Sequence, residues 1–374
     1  MNLSPQQDAA LLAVSRWLKA QRPQVFRLFG YAGTGKTTLA QKIAEDVGGQ
    51  VLFAAFTGKA AQVMRNRGCS NARTIHSLIY RPRGEKPEKE TGELQPAFAL
   101  NRASEVRRAK LVIIDECSMV DEALGRDLLS FGTPVLVLGD PGQLPPVKGG
   151  EGGAGFFTEH EPDVMLTEIH RQARDNPIIQ LAQEVREGGR PAYGRYGESR
   201  VVGRDDIEAD DVLAADQVLV GRNRTRHNFN RRIRTLRGFE GLLPTPGDKL
   251  VCLRNSSEKG LLNGGLWRVT SVGTARGTTL NMLVKSEDEG PLGASAKIRV
   301  LKSMFEEGPE AVSFDRRRKT DEFDYGYALT VHKAQGSQWD RIVLFDESFA
   351  FRDSRDRWLY TAITRAAEAI TIVR

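Results

Sequence analysis

Cysteine is scarce: the three in 374 residues, Cys69, Cys117 and Cys252, stand far apart with no paired spacing. That excludes a disulfide framework and a paired-cysteine zinc site, and it points to a reducing compartment. Long apolar runs are missing as well, and none approaches the ~20 residues that a membrane-spanning helix needs. The opening MNLSPQQDAA lacks the charged, apolar and small-residue succession of a secretory leader. A soluble, cytoplasmic protein with no membrane association is expected. Histidine numbers only five, with no cysteine or carboxylate cluster beside it, so neither a metal cage nor a nuclease centre is indicated. Charge is nearly balanced, 54 Lys and Arg against 48 Asp and Glu, for a net +6. This mild basic excess admits a polyanionic partner without requiring one.

What the chain does contain is alternation. Short β-rich runs, VFRLF, VLFAAF, LVIID, PVLVLG, QVLVG, RIVLF and AITIV, recur with helix-patterned segments between them. Parallel strands buried on both faces read in this way. The chain is too long for one ordinary core, and two α/β units are expected, over residues 1–165 and over 166–245 with 323–374. Two stretches interrupt the rhythm. Residues 79–108 carry the polar, Pro- and Gly-rich YRPRGEKPEKETGELQP, expected as an insertion projecting from the first sheet. Residues 246–322 hold short strand-like runs and an Asn263-Gly264 turn signal, expected as a small β-barrel-like insertion in the second unit.

GYAGTGKTT, directly after VFRLF and before a helix-patterned run, is the most specific signal. Gly30, Gly33, Gly35, Lys36 and Thr37 fit G-x-x-x-x-G-K-[ST], with Thr34 and Thr38 in the same loop. Such glycines let successive N–H groups point at phosphate oxygens; the helix N-terminus and Lys36 add positive charge, and Thr37 offers a hydroxyl to Mg²⁺. ATP with Mg²⁺ is therefore the expected cofactor. Hydrolysis also needs a metal-holding carboxylate and a base, and LVIIDECSMVD supplies Asp115 and Glu116 at the C-terminal end of an apolar strand. VLVLGDPGQLPPV then delivers Gln143 to the same edge, either to sense the γ-phosphate and position water or as part of a plain turn.

At this point the residues resemble a family. GYAGTGKTT, FTGKAA, TIHSL, IIDECSMVD, LGDPGQLPPV, HRQ, YALTVHKAQGSQWD and LYTAITRA follow the motif order of superfamily 1 DNA helicases, in particular the RecD/Dda-like branch. The resemblance implies an α/β fold of two RecA-like parallel-sheet domains, with a hairpin insertion in the first and an SH3-like β-barrel insertion in the second. It implies ATP between the domains, single-stranded DNA across both, and 5′ to 3′ translocation that unwinds forked duplex. By motif, Gln7 reads adenine, although Ser4, Pro5 and Gln7 also make a helix start with a capping box. Arg171 and Arg365 match the two arginines that the second domain brings to the γ-phosphate, and Gly336 matches the turn that meets it.

Thr57, Lys59, Thr74, His76, Thr330, His332 and Lys333 match the DNA-contacting loops, where hydroxyl and lysine groups suit phosphate. His76 and His332 are equally at home as buried, neutral rings. In the basic run GRNRTRHNFNRRIRTLRG, Asn223 and Arg224 are candidates for the strand backbone, and the later arginines read as the wet face of a helix. Phe98 or Tyr80 is placed to stack at a fork, or Phe98 to anchor the insertion. The resemblance fits a monomer that works with single-strand-binding or replication and repair partners. Two rivals share parts of this pattern: a DNA-stimulated ATPase that remodels nucleoprotein without strand separation, and a small-molecule phosphotransferase.

Overall fold

A computed structural model describes residues 3–20, 22–87, 94–145, 155–168, 175–256, 258–274, 277–288 and 293–374. The first domain contains β1 (Val25–Gly30), β2 (Val51–Ala55), β3 (Arg73–Thr74), β4 (Tyr80–Pro87), β5 (Leu94–Leu100), β6 (Leu111–Asp115), β7 (Val135–Gly139) and β8 (Val164–Leu166). Six of these form one sheet in the order β3-β2-β6-β7-β1-β8, every pair parallel. The strands alternate between two cores. Leu28, Ile113, Leu136 and Leu138 face the helices Pro5–Ala20 and Lys36–Asp46, while Phe29, Ile114, Val135 and Val137 face the other side. Covering both faces removes nearly all these apolar side chains from water, each contributing ~1.5–3 kcal/mol.

β4 and β5 leave this sheet as an antiparallel hairpin whose register pairs Tyr80 with Leu100 and Pro82 with Phe98. The expected insertion is therefore a two-stranded arm. Residues 88–93, between the strands, lie outside the described residues.

The second domain adds β9 (Gly194–Tyr196), β10 (Ser199–Val202), β11 (Gln217–Val220), β12 (Lys249–Cys252), β13 (Leu266–Val272), β14 (Thr279–Ser286), β15 (Ser295–Leu301), β16 (Phe323–Tyr325), β17 (Ala328–Thr330), β18 (Trp339–Phe345) and β19 (Ala366–Val373). One sheet runs β17-β11-β18-β19-β10-β9, parallel except for its β9 edge. The other is antiparallel, in the order β15-β14-β13-β12-β16. An N–H from Asp321, just before β16, reaches the Arg299 carbonyl of β15 at 2.8 Å, so the antiparallel sheet curls until its two edges approach. Its inner residues, Leu250, Trp267, Met282, Ile298 and Phe323, join Val218, Val220 and Val343 of the parallel sheet in one core. The insertion is thereby cemented to the second domain.

The basic run forms the helix Asn223–Leu236. Arg224, Arg231, Arg232 and Arg237 are exposed, but the expected wet face does not extend to Arg226 and Arg234, which are buried. Arg226 meets Asp324 at 2.6 Å and Glu310 at 2.9 Å, and Arg234 meets Asp248 at 2.8 Å. Paired carboxylates from distant segments make that burial tolerable. All three cysteines are free and buried. Among the described residues, no helix is long and apolar enough to cross a membrane, and no cluster of His, Cys, Asp or Glu is set to hold a metal.

Candidate active site

β1 delivers the chain to the phosphate loop at Gly30, where a Cβ would lie 2.7 Å from Thr34 Oγ1 and 2.8 Å from Leu166 Cβ. Gly33 and Gly35 then take φ of 80° and 77°, the left-handed region that a side chain opposes. The helix Lys36–Asp46 starts immediately, its N-terminus facing the loop. Lys36 Nζ donates to the carbonyls of Gly30 at 2.6 Å and Tyr31 at 3.0 Å, folding its charge back over the loop. Thr37 Oγ1 lies 3.1 Å from Asp115 Oδ2, so a hydroxyl from the first turn of this helix and a carboxylate from the end of β6 stand side by side.

Glu116 follows with φ 53° and ψ 44°, in the left-handed region that a side chain opposes. A backbone held there costs of order 1–3 kcal/mol and persists only where its surroundings enforce it. Burial raises the Glu116 pKa, and Arg365 opposes the rise. Arg365, 5% exposed, comes from the far domain and places Nη1 3.7 Å from Glu116 Oε1. Its other donors are fixed on the Thr361 and Ser337 carbonyls and on Thr364 Oγ1. Gln143, also buried, lines the cleft with an Oε1 that has no hydrogen-bond partner.

These groups border one cleft of about 1220 Å³ between the domains, lined by Gln7, Lys36, Thr37, Thr38, Asp115, Glu116 and Gln143 on one side and Gly336 and Arg365 on the other. It is roomy against the ~300–1,000 Å³ of ordinary ligand pockets. A nucleoside triphosphate fits. So does Mg²⁺, which takes one or two protein oxygens and completes its shell with phosphates and water. Gly336, at φ 76°, lets the second domain approach closely, since a Cβ there would sit 2.8 Å from Ala60 Cβ. Arg171 lies outside the described residues, in 169–174.

Gln7 shows the capping arrangement in full: Ser4 N–H donates to its Oε1 at 3.1 Å, and its own N–H donates to Ser4 Oγ at 3.3 Å. Its Nε2 also donates to the Thr34 carbonyl at 3.0 Å, tying the first helix to the phosphate loop.

The expected nucleic-acid residues divide. Thr57 and Thr74 cap the helices Gly58–Asn66 and Ile75–Ile79, accepting from Ala60 N–H at 3.0 Å and Ser77 N–H at 3.1 Å. Thr330 is buried and accepts from Lys333 N–H at 3.3 Å. Lys59 is held by Asp288 of the inserted sheet at 2.5 Å. His76 packs edge-on against Phe98, with ring centroids 4.3 Å apart, and His332 lies 5.3 Å from Phe351; burial lowers both imidazole pKa values, favouring neutral rings. Burial also pulls Lys333 down to about 8. Asn223 is exposed in the first turn of its helix. Phe98 is 47% exposed and sits near the base of the hairpin, where it both touches His76 and faces solvent. Tyr80 is tied down, donating to Asp127 at 2.5 Å.

Sequence reasoning missed a second set of bridges across the cleft. Tyr360, inside the quoted LYTAITRA, hydrogen-bonds Ala32 and Asp140, and Arg186 lies 3.6 Å over the Tyr31 ring. A tyrosine in an apolar helix reads as core, and only its distant partners reveal more.

A family model described as an AAA domain matches residues 2–204, more than half of the chain, and a UvrD-like helicase C-terminal domain matches 325–373. The chain belongs to the RecD-like group of superfamily 1 helicases. It is 31% identical to an ATP-dependent RecD2 DNA helicase of Deinococcus radiodurans over 91% of its own length and 46% of that protein's. It is 26% identical to the RecBCD enzyme subunit RecD of Mycobacterium tuberculosis, over 92% of this chain and 66% of that one. The chain thus spans about half of the RecD2 helicase and under two thirds of RecD. Its fold matches that of a Pif1 helicase solved at forked duplex DNA, with a TM-score of 0.61, 21% identity, and coverage of 99% of this chain and 92% of that one. Arg365 and Glu116 line one and the same cleft, 3.7 Å apart.

Proposed function

We propose that this chain is an ATP-dependent DNA helicase that moves 5′ to 3′ along single-stranded DNA and unwinds forked duplex. The observation that carries the reading is the two-sided cleft, in which Arg365 of one domain meets Glu116 of the other beside the Thr37–Asp115 pair. A phosphate loop alone would serve any kinase; a guanidinium arriving from a second domain makes turnover depend on closure.

In this scheme Lys36 leaves the Gly30 and Tyr31 carbonyls for the β and γ phosphates, and the Gly33–Thr38 backbone cradles them. Thr37 and Asp115 would hold Mg²⁺, which would supply positive charge to the phosphate oxygens. Glu116 takes a proton from the attacking water, and Gln143 orients that water through its unpartnered Oε1. Arg365, with Arg171, steadies the charge that builds on the phosphoryl oxygens. Gln7 adds the adenine contact, and Gly336 admits the second domain to the γ-phosphate.

Single-stranded DNA runs over Thr57, Lys59, Thr74, His76, Asn223, Thr330, His332 and Lys333, and the β4–β5 arm with Phe98 divides the fork. The curled antiparallel sheet acts as the SH3-like cover over that track. Each closure changes which domain grips the strand harder, so each hydrolysis advances it, in a monomer that other replication or repair proteins can load. The RecD2 relative is named an ATP-dependent DNA helicase, and the Pif1 structure is one of unwinding at forked duplex DNA, both of which support the reading.

ATP hydrolysis measured with and without single-stranded DNA, then unwinding of duplexes carrying only a 5′ or only a 3′ tail, tests it. DNA-stimulated turnover with opening of the 5′-tailed substrate alone is expected. Stimulated turnover that leaves both substrates intact would favour a remodelling ATPase, and turnover indifferent to DNA a phosphotransferase.

A further inference from the structure

Tyr360 belongs to the helix Arg355–Ile363 of the second domain, yet its hydroxyl works inside the first. The oxygen accepts the Ala32 amide of the phosphate loop at 3.1 Å and donates to Asp140 Oδ2, beyond the end of β7, at 2.6 Å. The ring is 2% exposed and packs so tightly on the following turn that a Cβ at Gly142 would lie 3.1 Å from it. Burial and the neighbouring Asp140 carboxylate both push the phenol pKa up, keeping its proton in place to donate.

Asp140 carries the contact onward. Its Oδ1 accepts Gly142 N–H at 2.9 Å, and its carbonyl accepts Gln143 N–H at 3.1 Å. The second domain grips the far end of the same turn: Thr361 Oγ1 accepts Leu144 N–H at 2.9 Å, and Gln335 Nε2 donates to the Leu144 carbonyl at 3.0 Å. Between these two grips stands Gln143, with its buried and unpartnered Oε1.

We propose that Tyr360 is a positioning residue that sets Gln143 against the phosphate loop only while the two domains are closed. This rests on the ATPase reading above. A hydroxyl has one proton to give and lone pairs to receive with, and here both functions are engaged, so one oxygen fixes the spacing between loop and turn. When the domains part, the helix withdraws that oxygen. The Ala32 amide and the Asp140 carboxylate then lose their shared partner, and the turn carrying Gln143 is no longer held from either end.

Tyr360→Phe removes only the hydroxyl and keeps the ring on Gly142. In the full chain it should lower kcat of DNA-stimulated hydrolysis by about 10- to 100-fold, the loss of one charge-assisted hydrogen bond. The Kd for a fluorescent ATP analogue should change less than about threefold, since no phosphate contact is removed. Asp140→Ala should match it, Asp140→Asn, which keeps an acceptor, should retain more activity, and the double variant Tyr360→Phe/Asp140→Ala should be no worse than the poorer single. A merely structural tyrosine would instead weaken nucleotide binding and lower Tm in step with kcat, and its loss would add to that of Asp140. Wild-type kcat in Tyr360→Phe, or additive losses in the double variant, overturns the inference alone. An unsubstituted chain that hydrolyses no nucleotide overturns the ATPase reading and this inference with it.

Discussion

Arg365 of the second domain lies 3.7 Å from Glu116 of the first, and its remaining donors are spent on backbone and hydroxyl oxygens of its own domain. A guanidinium held so firmly is aimed before any ligand arrives, which lowers the reorganisation needed when phosphoryl charge develops. Arg365→Ala should lower kcat by about 10³-fold while leaving nucleotide affinity within a few-fold. Arg365→Lys should recover little, because an ammonium cannot reproduce the fork of donors. Steady-state hydrolysis with saturating single-stranded DNA measures both, and a loss below tenfold would count against the cross-domain role.

Glu116 gives that pair a pH signature. Burial lifts its pKa above the ordinary 4.5, and Arg365 holds the rise in check. A base acts only when deprotonated, so kcat should climb with pH along an acid limb centred above 4.5. Arg365→Gln takes away the restraining charge, and the limb of the residual activity should then move to higher pH. Glu116→Gln should abolish limb and turnover together. A limb that stays put in Arg365→Gln would assign it to another group.

The phosphate loop, Asp115 and Glu116 were legible because each is a local pattern, an apolar strand running into a loop whose residue types have few other uses. The parallel strands were legible for the same reason. The burial of Arg226 and Arg234 was not, although positions 226, 230 and 234 share one helical face with Ile233. Reading that face needed Asp324 and Asp248, which the sequence leaves far from it. Tyr360 was hidden likewise, and the helix-capping duties of Thr57 and Thr74 show one hydroxyl type serving two ends that composition alone does not separate.

The Arg226 pair predicts a stability effect. Arg226 is fully buried against Asp324, itself nearly so, and removing one partner leaves the other charge unpaired in a dry setting. Arg226→Ala should cost about 3–5 kcal/mol, whereas the apolar pair Arg226→Met with Asp324→Leu should recover most of it. Denaturant titration measures both. A loss below ~1 kcal/mol in the single variant would mean that water reaches the site.

Lys333 predicts a pH dependence of a different kind. With its pKa pulled down to about 8, the ammonium is largely charged at pH 7 and largely neutral at pH 9. Affinity for single-stranded DNA should therefore fall as pH rises through 8, by roughly tenfold if one charge-assisted phosphate contact is lost. Lys333→Arg, charged throughout, should flatten the profile. Lys333→Ala should reduce the logarithmic salt slope by about 0.7, the share of one phosphate on a single strand. An unchanged slope would remove Lys333 from the track.

Lys59 is the sterner test of that track, because its ammonium already has a partner. Asp288 of the inserted sheet holds it at 2.5 Å, with side chains only 12% and 8% exposed. A phosphate can take Lys59 only by displacing Asp288, so the carboxylate competes with DNA while tying the insertion to the first domain. Asp288→Asn keeps the shape and removes the charge. If Lys59 contacts the strand, this variant should bind single-stranded DNA about two- to tenfold more tightly, the spread expected when one competing charge is removed. Lys59→Ala should weaken binding and cancel the gain in the double variant. If Lys59 serves only to dock the insertion, Asp288→Asn and Lys59→Ala should lower stability alike and leave DNA affinity unmoved, and fluorescence anisotropy with a labelled oligonucleotide separates the two outcomes.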